Sequence, residues 1–261
     1  MLARVSATMA LNRQGLERER DARALRVDNL PFYYSVHLNM PCNQRCIMCV
    51  PNFQHARDVL PLEQFVAFFD QVKPYAEHIS LIGGETFMYP WIEDVLALLS
   101  EHEIAVTVHT NGFMLNERVT PGLLSLHELN LKLSIDAATR ETYRRIRGRD
   151  HFDRVTSNML AFAELGRDEP GVNVIPHYVV MRENLHEVVP FVDFAKRLHP
   201  DRVQFDPVAN VADWQVENGT GWHFDGAEQS CGSFADEYNE TMRQAAARCE
   251  SEGLAHEVRF L

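Results

Sequence analysis

Three of the five cysteines in the chain fall within eight consecutive positions, at Cys42, Cys46 and Cys49. Thiolates at this spacing, C-x3-C-x2-C, are ligands for a zinc ion or for an iron–sulfur cluster. A structural zinc ion requires four protein ligands, and His55, six residues after the last cysteine, is a candidate for the fourth. A [4Fe–4S] cluster held by three thiolates instead leaves one iron open to a ligand that is not protein.

The other two cysteines, Cys231 and Cys249, lie eighteen positions apart and far along the chain from the first three. Each is interpreted as a small buried side chain, because free cysteine is among the most buried residue types. Two thiolates do not complete a second cluster by the usual four-cysteine rule, so the sequence predicts one cluster only. Three crowded cysteines out of five do not resemble a disulfide framework, which favours a reducing, cytoplasmic location.

The composition narrows the classes of function. The 261 residues carry a net charge of −12, which argues against a general nucleic-acid binder, because such a protein needs a basic surface to neutralise phosphates. No uninterrupted apolar run reaches the length of about 18 residues that a membrane-spanning helix needs. The first residues also lack the long apolar segment of a secretory signal. We therefore expect no nucleic-acid partner and no membrane association.

The elements that must position the cysteines alternate regularly between strand and helix patterns. Six such alternations predict a parallel sheet with right-handed crossovers, that is, an α/β partial (β/α)6 TIM-like barrel with mostly parallel strands. The predicted strands are 34–40, 78–84, 105–111, 129–136, 172–181 and 202–208. The predicted helices are 62–73, 90–101, 116–126, 139–165 with a break near Gly148, and 185–198. The cysteines follow the first strand directly, at the end of such a barrel where chemistry is done.

The barrel core is predicted to span residues 34–208. Residues 1–33 form an N-terminal helical extension in this prediction, and residues 209–261 form a C-terminal lid loop and helix packed on the core. The connection over 209–232 is long for a compact domain, and long loops are more often functional or disordered than neutral. Its two tryptophans, Trp214 and Trp222, favour a lid over the barrel.

The predicted strands also share a polar face. In the fourth strand Asn130, Lys132 and Ser134 alternate with leucines, and successive side chains in a strand point to opposite faces. The same alternation recurs in the other strands, which indicates a curved sheet whose concave side lines a wet cavity. The inward polar residues expected near a substrate are His37, His109, Lys132, His177, Gln204 and Asp206. A lysine inside a barrel needs a partner, and Asp206 or Asp136 is the expected one.

The spacing of the cysteines after the first strand resembles the signature of the radical S-adenosylmethionine (radical SAM) superfamily. Further segments match that pattern in order. They are Gly83-Gly84-Glu85 after the second strand, Thr110-Asn111-Gly112 after the third, Ser134-Ile135-Asp136 after the fourth, and Arg145-Ile146-Arg147-Gly148 in the next helix. The resemblance covers residues 34–208 and is closest to the branch that often carries SPASM or twitch auxiliary domains. The chain departs from that branch in lacking the cysteines for auxiliary clusters.

The resemblance implies a [4Fe–4S] cluster on the three cysteines and bound S-adenosylmethionine (SAM). The glycines would let the backbone approach the methionine part of SAM, and Arg147 would pair with its carboxylate, with Arg145 as the rival. Met48 and Val180 would flank the adenine. The full set of expected SAM-binding residues is Met48, Gly83, Gly84, Glu85, Asn111, Ser134, Asp136, Arg147 and Val180.

The reaction implied by the resemblance is reductive cleavage of SAM to a 5′-deoxyadenosyl radical, which abstracts hydrogen from a small polar metabolite or biosynthetic intermediate. The expected catalytic residues are Lys132, His109 and Asp206. A flavodoxin or ferredoxin is the expected electron donor, with Arg45 and Arg57 as candidates for the surface that receives it. The alternatives are a peptide-modifying enzyme without auxiliary clusters and a zinc-binding module that uses the three cysteines and His55.

Overall fold

The computed structural model of the chain describes residues 7–49, 57–208, 215–217 and 223–261. The predicted zinc ligand His55 and the predicted lid residues Trp214 and Trp222 lie outside these ranges. No helix within them is both long enough and apolar enough to cross a membrane.

One parallel sheet organises the described part of the chain, with strand order β1-β2-β3-β4-β5-β6-β9. Its strands are β1 (Tyr33–Asn39), β2 (His78–Gly83), β3 (Ala105–Thr110), β4 (Glu128–Ser134), β5 (Val172–Val180), β6 (Val203–Pro207) and β9 (His256–Val258). β1 and β9 form the two edges, so the sheet is open. The six strands predicted from alternation are confirmed, and they are the strands of a partial TIM-like barrel.

One helix, α1 (Ala7–Asp21), precedes β1, and the others lie in the connections between strands, as right-handed crossovers of a parallel sheet require. These are α2 (Leu62–Val72), α3 (Ile92–Ser100), α4 (Thr120–Leu124), α5 (Arg140–Arg147), α6 (Phe152–Gly166), α7 (Val188–Lys196), α8 (Gly226–Gln229) and α9 (Ala235–Ser251). Short 3-10 helices occupy Thr86–Met88, Arg182–Glu187 and Cys231–Phe234. The predicted break near Gly148 is confirmed, because this residue ends α5 in the left-handed conformation with φ +64°.

The two faces of the sheet differ as the alternation predicts. On the outer face of β4, Leu129, Leu131 and Leu133 are fully buried beneath helices. The inward face is polar along most strands. One row of paired residues across the sheet, for example, consists of Ser35, Ser80, Thr107, Asn130 and Asn173. The apolar core therefore lies between sheet and helices, and the concave side is left for polar chemistry.

The C-terminal region contains strands that the sequence reasoning missed. β9 pairs in parallel with β6 and adds a seventh strand to the sheet, with α9 in the connection that leads to it. β7 (Gln215–Glu217) and β8 (His223–Asp225) form a separate antiparallel pair within the predicted lid loop. Each of these strands has three residues, which is too short for an alternation pattern to be recognised in the sequence.

Candidate functional site

The cysteine loop leaves β1 at the carboxyl edge of the sheet and forms one side of a pocket with a volume of about 300 Å³. The pocket brings together most of the residues predicted from the sequence. Those that line it are His37, Cys42, Cys46, Met48, Cys49, Gly83, Gly84, His109, Asn111, Ser134 and Arg147. Glu85, Asp136, Val180, Lys132 and Asp206 do not line it.

The end of β2 holds the start of the cysteine loop through the backbone. Gly84 N donates to Asn39 O at 2.7 Å, and Glu85 N donates to Pro41 O at 2.9 Å. A Cβ on Gly84 would lie 2.1 Å from Met40 O, closer than any side chain can approach. Because the two glycines lack a Cβ, the backbone that leads to Cys42 can pack directly against them. The same glycines form a wall of the pocket.

Glu85 is buried and faces the end of β3. Its carboxylate accepts hydrogen bonds from Thr110 Oγ1 at 2.6 Å and from Asn111 N at 2.8 Å. Burial raises the pKa of Glu85, and the hydrogen bonds from Thr110, Asn111 and Phe87 oppose that rise. The carboxylate thus joins the end of β2 to the end of β3.

Asn111 continues this connection to the cysteine loop. Its Nδ2 donates to Asn43 Oδ1 at 2.7 Å and lies 3.8 Å from Cys42 Sγ. Its Oδ1 accepts from Phe113 N at 3.0 Å, which fixes the orientation of the amide. The cysteine loop is therefore held from β3 as well as from β2.

A third support comes from the C-terminal turn of α5. Arg45 N donates to Arg147 O at 3.0 Å, and Ile47 N donates to Ile146 O at 2.9 Å. These two backbone bonds strap the cysteine loop to carbonyl groups that the end of a helix leaves without intrahelical partners. A Cβ on Gly148 would lie 2.4 Å from Arg45 O, so the close approach requires glycine at this position as well.

Sequence reasoning missed two further residues of this support. Gln44 Nε2 donates to Tyr143 OH at 2.9 Å, and both side chains are buried. No local signal in the sequence connects positions 44 and 143. The only hint was the glycine that ends the helix after Arg147.

Arg147 and Asp136 form a buried ion pair beneath the cysteine loop, with Arg147 Nη2 2.6 Å from Asp136 Oδ2. Arg147 Nη1 also donates to Cys46 Sγ at 3.5 Å. Burial acts to lower the pKa of Arg147, but Asp136 and Cys46 more than compensate and hold it above the usual range. The guanidinium is therefore charged and directed at a cysteine sulfur.

Val180 lies away from the pocket. Its side chain is fully buried in the core between the sheet and the helices. Its carbonyl oxygen accepts from Val208 N at 2.8 Å and from Cys231 Sγ at 3.1 Å. Cys231 is thus a small buried side chain bonded to the backbone, as is expected of a structural cysteine.

The surroundings of Cys42 and Cys46 raise the pKa of both thiols. Cys42 opens on the pocket, yet desolvation by the surrounding protein and the neighbouring Cys46 raise the pKa of its thiol to about 12. Burial also raises the pKa of Cys46, and Arg147 opposes that rise. Metal ligation requires thiolates, so uptake of metal releases protons.

Three thiolates are chemically suited to a [4Fe–4S] cluster, and the zinc alternative depends on His55, which lies outside the described residues. Within the ranges that the structure describes, no three His, Cys, Asp or Glu side chains are close enough together to ligate one metal ion. In a [4Fe–4S] cluster each protein-bound iron takes a single thiolate, so the three cysteines need not converge on one metal atom. Two polar atoms of the loop, Gln44 Oε1 and Asn43 Nδ2, are buried and have no hydrogen-bond partner among the described residues. The loop therefore has polar groups left over for a bound group.

The inward face beyond the pocket carries a second set of polar groups. Asp206 accepts from His177 Nε2 at 2.9 Å and from Gln204 Nε2 at 2.8 Å, and Arg259 Nε lies 3.0 Å from its other oxygen. The hydrogen bond from His177, opposed by burial, lowers the pKa of Asp206. Asp206 is therefore the centre of a side-chain network.

Lys132 lies near this network without joining it. The expected ion pair of Lys132 with Asp206 or Asp136 is wrong, because Arg259 and His177 occupy Asp206 and Arg147 occupies Asp136. Burial lowers the pKa of Lys132, and Asp206 partly opposes this.

His109 lies between the pocket and the network. Burial, with Lys132 and then His177 as further causes, lowers the pKa of His109 to about 4. The imidazole is therefore neutral at pH 7. A neutral imidazole can accept as well as donate a hydrogen bond.

Comparisons with known proteins agree with this geometry. The chain is 28% identical to an S-adenosylmethionine-dependent nucleotide dehydratase of Flammeovirga pacifica, over 64% of this chain and 59% of that protein. It is 29% identical to a probable GTP 3′,8-cyclase of Saccharolobus islandicus, over 62% of this chain and 52% of that protein. The chain thus spans between about half and three-fifths of the length of these curated relatives.

Solved structures share the fold. SuiB of Streptococcus suis bound to S-adenosylmethionine superposes with a TM-score of 0.71 at 17% identity, over 95% of this chain and 54% of that one. The enzyme anSMEcpe with bound AdoMet superposes with a TM-score of 0.65 at 16% identity, over 87% of this chain and 61% of that one. The family model of the radical SAM superfamily matches residues 41–195, which begin beside the first cysteine and extend into α7. The chain belongs to the radical SAM superfamily.

Proposed function

We propose that the chain carries the catalytic core of an enzyme that acts on a small polar metabolite or biosynthetic intermediate through hydrogen abstraction. When bound, the [4Fe–4S] cluster and SAM supply a one-electron cleavage that yields a 5′-deoxyadenosyl radical. The observation that supports this assignment is the convergence of three cysteines, the glycine wall and Asn111 on one pocket that His109 and Ser134 also line.

The residues of the chain would divide the work. Cys42, Cys46 and Cys49 would hold the cluster. Met48, Gly83, Gly84, Asn111 and Ser134 line the space beside them and would bind SAM. The hydroxyl of Ser134 has no hydrogen-bond partner within the described ranges, and we propose that it bonds to SAM. The carboxylate of Glu85 already accepts hydrogen bonds from Thr110 Oγ1 and from Asn111 N. Glu85 would therefore position Asn111 rather than contact SAM itself.

The substrate would lie against the inward face, where Lys132, His109 and Asp206 would orient it. This face supports a polar substrate because Lys132 forms no ion pair with any described residue, since Asp206 pairs with His177 and Arg259 instead. An anionic group on the substrate would supply a partner. Two curated relatives are named for nucleotide substrates, which are anionic, and this agrees with the proposal.

The electron donor would bind near the cysteine loop. The predicted candidates for this surface are Arg45, which is half-buried, and Arg57, which is exposed. Arg144 and Arg149 are also exposed on α5 and just after it, and Gly148 between them abuts the backbone of Arg45. The chain as a whole has a charge of −12, so a basic surface at this place is a local exception. Complementary charge raises association rates, which supports an acidic donor of the flavodoxin or ferredoxin type.

The function is tested by replacing cysteines one at a time with serine. C42S, C46S and C49S should each lose iron and sulfide after anaerobic reconstitution, and should form no detectable 5′-deoxyadenosine from SAM and dithionite. The matched controls are C231S and C249S, which alter buried cysteines outside the pocket and should retain both properties. A wild-type preparation that holds zinc and no sulfide would rule out the proposal and favour the zinc-binding module.

A further inference from the structure

The guanidinium of Arg147 has a partner at each of its three nitrogens. Nε donates to Ile135 O at 3.3 Å, Nη1 donates to Cys46 Sγ at 3.5 Å, and Nη2 pairs with Asp136 at 2.6 Å. The side chain of Arg147 is only 7% exposed and that of Asp136 is fully buried. The expected role for Arg147, a clamp on the carboxylate of SAM, would fall to the N–H groups that these three contacts leave over, because a guanidinium carries five.

Asp136 is itself held in place from two directions. It follows β4 with φ +58°, a left-handed conformation that is uncommon outside glycine but tolerated by aspartate and asparagine. Its Oδ1 accepts from Val179 N at 2.8 Å, and its carbonyl oxygen accepts from Asn184 Nδ2 at 3.0 Å. Separating the pair would leave an uncompensated buried charge, which is strongly unfavourable. The guanidinium is therefore fixed against Cys46.

We propose that Arg147, positioned by Asp136, hydrogen-bonds to the thiolate of Cys46 in the loaded protein and raises the reduction potential of the cluster. The inference rests on the proposed function, because it assumes a cluster on the three cysteines. Hydrogen bonds to the sulfur ligands and the net charge nearby are among the determinants of cluster potentials. A cation and a hydrogen-bond donor at a sulfur both stabilise the state that holds one more electron.

The redox step itself is simple. One electron passes from a low-potential reductant such as dithionite to the oxidised cluster, and no bond forms or breaks. Arg147 favours the reduced product of this step. Asp136 opposes it, because its negative charge lies beside the guanidinium. The two residues therefore have opposite effects on the potential, whereas a purely structural role would make both replacements act alike.

The test is a potentiometric titration of the reconstituted full chain, monitored by electron paramagnetic resonance, without SAM. R147Q should lower the midpoint potential by about 59 mV or more, the equivalent of a tenfold change in the reduction equilibrium. D136N should raise the potential, because it removes the negative charge beside the guanidinium. Asparagine can adopt the same backbone conformation and still accept from Val179 N. R145Q is the matched control, since Arg145 is 42% exposed and pairs with Glu183 at the surface. Its shift should be less than a third of that of R147Q.

The possible outcomes separate the inference from the proposed function. A wild-type chain that takes up no iron and sulfide overturns both. If R147Q keeps the wild-type potential and instead weakens SAM binding, the guanidinium belongs to the carboxylate of SAM and the inference is overturned alone. If R147Q does not assemble a cluster, D136N decides. A raised potential then supports the inference, and an unchanged or lowered one overturns it.

Discussion

The carboxyl edge around the cysteines and the inward face of β4, β5 and β6 are both polar, but they are built differently. At the cysteine edge, Glu85 and Asp136 are buried carboxylates that accept from backbone N–H groups. On the inward face, His177 and Asp206 are 13% and 21% exposed, and they bond to other side chains. The first arrangement fixes one geometry. The second depends on side chains that are partly exposed, which supports its proposed role in orienting a substrate.

The most severe way to test the rigid edge is to insert a methyl group at Gly84. A Cβ there would lie 2.1 Å from Met40 O and 2.3 Å from Pro41 O, and backbone atoms cannot move aside as a flexible side chain can. G84A should displace the cysteine loop, prevent cluster assembly and lower the free energy of unfolding by about 3 kcal/mol or more. Iron content and urea unfolding measure both effects.

The matched control for this change is G232A. The nearest heavy atom to a Cβ on Gly232 would be Ser230 Oγ at 4.0 Å. G232A should change the free energy of unfolding by no more than about 0.5 kcal/mol, as surface substitutions usually do. Equal stability of G84A and G232A would show that the loop is not held against the end of β2.

A pair of isosteric replacements compares the two regions directly. E85Q turns an amide NH2 toward a backbone N–H in either orientation, because Glu85 accepts from Phe87 N on one oxygen and Asn111 N on the other. We expect a loss of about 2 kcal/mol in the free energy of unfolding. D206N should lose only about 1 kcal/mol, because Asp206 is partly exposed and its side-chain partners can reorient. Urea unfolding of both variants checks the order, and a larger loss in D206N would contradict the comparison.

The smallest expected effect concerns His109, where the two regions meet. Its pKa in the folded chain is about 4, below the ordinary value of 6.5. Between these values the unfolded state binds more protons than the folded state, so stability falls as the pH falls from about 6.5 towards 4. Allowing for solvent screening, the loss between pH 7 and pH 5 should be roughly 1 kcal/mol.

Urea unfolding at the two pH values measures this loss. H109Q should remove most of it, whereas the control H127Q, at an exposed histidine, should leave it unchanged. If H109Q and the wild-type chain showed the same pH dependence, the lowered pKa of His109 would not be the cause of the loss in stability.

Much of this architecture follows from local patterns in the sequence. Alternation along the strands predicts the polar inward face, and the position of the cysteines directly after the first strand predicts that they lie at the carboxyl edge of the sheet. Contacts between distant parts of the chain have no such signature. The hydrogen bonds from Arg45 and Ile47 to the end of α5 join backbone atoms about a hundred residues apart. Since they involve no side-chain atoms, the residue types at these positions do not reveal them.

The error in the partner of Lys132 has a related cause. Asp206 is taken by Arg259, which follows directly after β9, a strand too short to be recognised from its residues. The orientation of Glu85 also has no signature in the sequence. Its place next to two pocket glycines favours contact with the cofactor, whereas its carboxylate faces Thr110 and Asn111. Only the packing of β2 against β3 turns its carboxylate away from the pocket.

The straps between the cysteine loop and α5 consist of peptide groups alone. Of the twenty amino acids only proline, which lacks an N–H, would delete a strap at position 45 or 47. Any other replacement at position 45 keeps the backbone donor of this hydrogen bond. The backbone path of the cysteine loop can therefore persist over generations while the side chain at position 45, part of the proposed surface for an electron donor, changes.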